Sequence, residues 1–255
     1  MNSIFKLPQD LRLAIRSGQF DAPTAGQAPG FIQANLMILP KALAFDFLLF
    51  CQRNPKPCPL VEVLEPGHRE PLCAPGANIA TDVAGYRVYC DGELAQELND
   101  LSALWQSDFV TFLIGCSFSF ESALMAAGVP LRHVDRGCNV AMYRTSLACT
   151  PSGPFRGEMV VSMRPIKSRD VAKVVEVSGR FVLAHGAPVH IGNPGEIGIK
   201  DLAKPDYGDA VSILPDEVPV FWACGVTPQW VAQSSRLALC ITHAPGKMFV
   251  TDQRG

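Results

Sequence analysis

The chain sets short apolar runs of strand length between segments with helical spacing, and the two alternate over nearly its whole length. Gln9 to Gly18 reads as a short amphipathic helix, and Asp21 to Gly30, small and proline-rich, as a loop. Ala34 to Leu39 fits a strand or a short helix. Pro40 suits a first helical position, and Lys41 to Arg53 continues as a helix that Asn54 to Pro59 ends. Leu60 to Glu65 and Tyr86 to Cys90 read as strands, the second followed by the tight-turn pair Asp91-Gly92. Phe109 to Gly115 is a continuous apolar run of strand length. A helix from about Ser119 to Ala127 follows, stopped by Gly128 with Pro130 beyond.

The second half repeats the alternation. Gly157 to Arg164 is a strand, Ser168 caps a helix through about Phe181, and Pro188 to Ile191 is a strand. Val218 to Ala223 is a strand, Thr227 caps a helix to about Arg236, and Leu237 to Thr242 is a strand. Two stretches share one grammar: FLIGCSFSFESAL and VFWACGVTPQWVA each run buried strand, Gly and Cys, hydroxyl, helix. The pattern predicts an α/β fold: a mixed, largely parallel sheet with flanking helices, plus a smaller α+β lobe. Residues 1–145 and 218–255 form the expected main lobe and 146–217 the smaller β-α-β lobe. Ligands of open α/β sheets collect at the carboxyl ends of strands, so both corners are expected to face one cleft.

Composition narrows the classes. A chain that is 48% hydrophobic and 18% charged can bury a core, which excludes disorder. A net charge of −2 with no basic run leaves no footprint for nucleic acid. The nine cysteines are odd in number and form no CxxC, so they read as reduced core thiols rather than zinc ligands. The stretch MNSIFKLPQDLRLAIR has no signal-peptide core, and no apolar run is long enough to span a bilayer. A cytoplasmic protein is expected, with no membrane partner; a homo-oligomer is permitted and not required.

Four groups of residues could carry chemistry. Ser117 and Ser119 at a helix start, with Glu121 in the first turn, suit an anion site of backbone N–H groups and a hydroxyl; they equally suit plain capping. Cys116 at the same point would be activated only if exposed. His190 at a strand end is a candidate acid or base, with Asn193 beside it as a contact or a cap. His185 and His190 find no third ligand by spacing, so no metal is assigned. Arg136, Arg144 and Arg164 are the choices for forked recognition of a carboxylate, and Thr227 at the second corner is a further candidate substrate contact.

QANLMILPKALAFDFLLFCQRNPKPCPL, IGCSFSFESAL, NVAMYRT, RGEMVVSMRPI, GAPVHIGNPGEIGIKDLAKPDYGD and FWACGVTPQ with ITHAPGKMFVTD resemble the bacterial hydro-lyase family related to the cyclase domain of mammalian D-glutamate cyclase. The resemblance runs from about Gly30 to Asp252. It implies two α/β-type lobes and a carbon–oxygen lyase that takes a small carboxylate, with D-glutamate closing to 5-oxo-D-proline and water. That reaction needs a clamp for the α-carboxylate, a base for the amine, donors for the oxyanion and a proton for the leaving oxygen. Arg136 or Arg144 would be the clamp, the Ser117/Ser119 terminus would receive the oxyanion or the second carboxylate, and Glu121 and His190 would share the base and acid work. No metal or organic cofactor is required. A dehydratase of a hydroxy acid, or a small-carboxylate binding protein without catalysis, could use the same residues.

Overall fold

The computed structural model describes residues 4–255. After helix α1 (Pro8–Arg16), strand β1 (Phe31–Pro40) leads into α2 (Lys41–Arg53) and β2 (Leu60–Val63). A long connection brings the chain to the hairpin β3 (Tyr86–Cys90) and β4 (Glu93–Leu98), then to β5 (Phe109–Gly115), α3 (Phe118–Ala126) and the short α4 (Arg132–Asp135). The chain continues through β6 (Ala141–Ala148), β7 (Glu158–Lys167), α5 (Val171–Gly179), β8 (His190–Ile191) and β9 (Glu217–Ala223). It ends in α6 (Val226–Ser234), β10 (Cys240–His243) and β11 (Phe249–Arg254).

The strands form two sheets. The first runs β2-β5-β1-β10-β3-β4, with β11 also paired to β1; the second runs β6-β7-β9-β8. The class is mixed α/β as expected, but every strand pairing in both sheets is antiparallel, which corrects the largely parallel sheet. The reason lies in inserted strands. β1 and β2, joined through α2, run the same way, yet β5 lies between them and pairs with both. β7 and β8, joined through α5, likewise flank β9. The β-α-β rhythm reports the direction of the two strands it joins and says nothing of a third that arrives later in the chain.

The expected lobe boundaries at 145/146 and 217/218 fall inside β6 and β9, both of which belong to the second sheet. Burial on both faces explains why β1 reads as one apolar run. Leu36 and Ile38 face a core with Ile79, Val83 and Phe109, whereas Met37 and Leu39 face α2 through Phe47 and Phe50, with Phe112 and Val231 of α6. In the second sheet, Val220 and Trp222 pack under α3 and α5 against Phe120, Leu124 and Val174. Val161, Met163 and Phe221 face Ile197 and Ile199 on the other side.

Candidate active site

The two stretches of shared grammar are the two places where the chain passes between sheets. β5 leaves the first sheet through α3 toward β6 of the second, and β9 leaves the second through α6 toward β10 of the first. Both corners open on one cavity of about 180 Å³. Cys116, Ser117 and Phe118 line it from the first corner, Cys224, Val226 and Gln229 from the second, and Arg87, Tyr89 and His243 from the first sheet. Both helices begin at its wall, so their peptide dipoles favour a negative group there.

Asn35 of β1 holds the corners together. Its amide donates to the carbonyls of Ile114 and Gly115, at 3.3 and 3.0 Å. The same amide lies against Gly225, where a Cβ would collide with it. Cys116 and Cys224 are buried, and burial pushes their thiols up to about 12 and about 11, so neither is a thiolate at neutral pH.

His243 is the imidazole of this cavity. Its Nδ1 accepts the backbone N–H of Leu36 at 3.1 Å, and burial pulls the ring down to about 4. The ring is therefore neutral near pH 7 with its proton on Nε2, an acceptor-poor donor suited to a developing oxyanion. The side-chain amide of Gln229 lies 3.0 Å from Nδ1 and 3.3 Å from Nε2.

A second chamber of about 500 Å³ shares Phe118, Asn139 and Gly246 with the first. The loop from Ala22 to Phe31 forms one side; Glu121, Ser122 and His133 form another. Glu121 accepts from Arg164 Nη2 at 2.5 Å and lies 2.9 Å from His133 Nε2. Burial works against its charge, but Arg164 and His133 outweigh it and hold the carboxyl below its usual range. Arg164 also donates to Ser117 Oγ and Ser162 Oγ, both at 3.1 Å, with its guanidinium carbon 5.2 Å and 5.4 Å from the rings of Phe120 and Trp222.

The structure thus brings Ser117, Glu121 and Arg164 into one buried cluster behind the two chambers. Ser119 is fastened instead to β1, its hydroxyl accepting the N–H of Gln33 at 3.0 Å. Neither serine makes a side-chain cap; Ser117 occupies the cap position of α3 without one. Thr227 lies inside α6 rather than at its cap, and its hydroxyl bonds both backbone groups of Val160, tying α6 to β7. His190 sits on edge strand β8, 2.7 Å from the carbonyl of Asn193, and Asn193 caps the turn that follows. Arg136 reaches Ser212 at 3.3 Å on the surface. Arg144 pairs with Asp206 at 2.8 Å over the ring of Trp230 and lines an open groove that shares Trp230 with the first cavity. His190, Asn193, Arg136 and Arg144 line neither chamber.

Arg87, His133 and His243 escaped the sequence reading, because each stands alone in its segment and meets its partners only through sheet pairing or packing. The one signal was His243 within ITHAPGKMFVTD, directly after a strand.

Comparison with known proteins matches residues 110–252 to the family described as D-glutamate cyclase. That span contains both corners. A protein named "Putative hydro-lyase" from Stutzerimonas stutzeri is 60% identical over 248 residues, covering 97% of this chain and 94% of that one. "Putative hydro-lyase YcsI" of Bacillus subtilis is 57% identical over 248 residues, covering 97% and 96%. The chain belongs to the D-glutamate cyclase family. Among solved structures, a nitrogen repressor-like protein from Methanococcus jannaschii aligns over 92% of this chain and 91% of that one, with TM-score 0.41 and 10% identity.

Proposed function

We propose that the protein is a hydro-lyase that closes D-glutamate to 5-oxo-D-proline with loss of water, and that the cavity between the two corners, with the chamber adjoining it, is its active site. The observation that carries this reading is the cavity at which both corner helices begin, furnished with one cation and one neutral imidazole. Arg87 is the only Lys or Arg among the described residues lining either chamber. It is partly exposed, and its Nε is paired with Glu97 at 2.7 Å, which leaves its two terminal NH2 groups without a partner among the described residues and open to a substrate carboxylate. His243 Nε2–H is the donor for the tetrahedral oxyanion, with the N-terminal dipoles of α3 and α6 favouring negative charge beside it.

The reaction balances without a cofactor. The C–N bond forms between the α-nitrogen and the carbon of the γ-carboxyl group, one C–O bond of that carboxyl breaks, and two protons from the ammonium leave with the released oxygen as water. Holding the substrate curled in the chamber supplies proximity.

The test is incubation of purified protein with D-glutamate, L-glutamate or a β-hydroxy acid, followed by proton NMR. Loss of D-glutamate with a matching lactam signal supports the cyclase. Turnover of the hydroxy acid alone supports a general dehydratase. A saturable melting shift with no product supports a carboxylate-binding protein.

A further inference from the structure

We infer that His133 is the general base of this site and that Glu121 and Arg164 are its positioning residues, an assignment that rests on the proposed cyclisation. His133 is one of the buried polar residues and contributes to the wall of the larger chamber, as does Glu121. Its Nε2 lies 2.9 Å from Glu121 Oε1. The same oxygen takes the guanidinium of Arg164 at 2.5 Å.

A carboxylate held by an arginine is an acceptor, so the imidazole donates from Nε2, and in its neutral form it carries its lone pair on Nδ1. Nδ1 makes no hydrogen bond among the described residues. A carboxylate that orients a ring, and a ring nitrogen left free beside a chamber, is the base-and-orienter arrangement of acid–base enzymes. Ser117 and Ser162 also hold Arg164, through Nη2 and Nη1, which restrains the guanidinium, while its buried Nε–H has no partner among the described residues.

The charges fit an ammonium ion. Glu121 and Arg164 cancel, and no Lys or Arg lines this chamber. The two chambers adjoin at Phe118, Asn139 and Gly246, and the assignment requires that a substrate whose carboxylate meets Arg87 reach His133 with its nitrogen. The ammonium gives one proton to Nδ1 and its lone pair forms the C–N bond. The imidazolium then returns that proton to the departing oxygen, which takes a second proton from nitrogen and leaves as water.

The deciding experiment combines kinetics of His133→Ala and His133→Asn with 15N-histidine NMR of the wild-type protein. We expect both variants to stay folded, to lose about 100-fold or more in kcat with little change in KM, and His133→Ala to regain turnover with added imidazole. The wild-type spectrum should show His133 protonated on Nε2, with its Nδ1 resonance moving when D-glutamate or 5-oxoproline is added. Variant turnover within a few-fold of wild type, or a proton on Nδ1, overturns the assignment. Absence of D-glutamate turnover by wild type defeats the substrate reading on its own. The histidine spectrum then still judges the dyad: an Nδ1 signal indifferent to both ligands overturns it.

Discussion

The amide of Asn35 occupies the space that a side chain at position 225 would need, while donating to the carbonyls of Ile114 and Gly115. One side chain therefore sets the distance between the two corners. Gly225 has φ −66°, an ordinary helical value, so the demand for glycine there is steric and not conformational. Gly225→Ala should cost about 1–3 kcal/mol as overpacking, measured by urea unfolding. Asn35→Ala on the same background should relieve part of that cost, so the double variant loses less than the sum of the singles.

Arg87→Ala should raise KM for D-glutamate about 10- to 100-fold, the size of one lost charge-assisted hydrogen bond, with a smaller effect on kcat. Arg144→Ala and His190→Asn should stay within a few-fold of wild type in steady-state assays, because neither side chain lines the chambers.

Stability should fall as the pH drops from about 6.5 to about 4. His185 and His243 are both pulled down to about 4 by burial. Below 6.5 the unfolded chain takes up protons that the folded chain refuses, so the stabilisation is complete above that pH and is lost on the acid side. Each ring contributes a slope of about 1.4 kcal/mol per pH unit in that window. His185 has φ 75°, which asparagine tolerates, so His185→Asn should remove one such slope from a series of urea melts.

Arg164→Met leaves the Glu121 carboxylate buried without its guanidinium and should cost about 3–5 kcal/mol. Arg164→Met combined with Glu121→Leu should recover much of that stability, since no charge is then stranded, and should remain inactive. Melting curves and turnover of the pair separate the role in folding from the role in chemistry.

Much of the local structure was legible in the sequence. Lys41–Arg53 and Tyr86–Cys90 coincide with α2 and β3, because Pro40 and Asp91-Gly92 mark their ends by backbone chemistry. The last strand, β11, went unseen: Phe249–Arg254 is buried for its first three residues and exposed for the rest, too short a pattern to register. The antiparallel order was hidden for another reason, since the insertion of β5 between β1 and β2 depends on pairing across some seventy residues of chain. The site divided in the same way. Ser117 and Glu121 stood out within one motif, and Arg164 as a cation inside a strand, whereas His133 became meaningful only when α4 packed beside α3.

The backbone links the two sheets at two points, and both are corners of the cavity. A metabolite seated there touches the seam from each side and acts as a staple between halves that are otherwise held by side-chain packing. Occupancy should therefore be felt far from the site, as slower amide exchange along β1 and β9 together and a melting point that climbs with metabolite concentration.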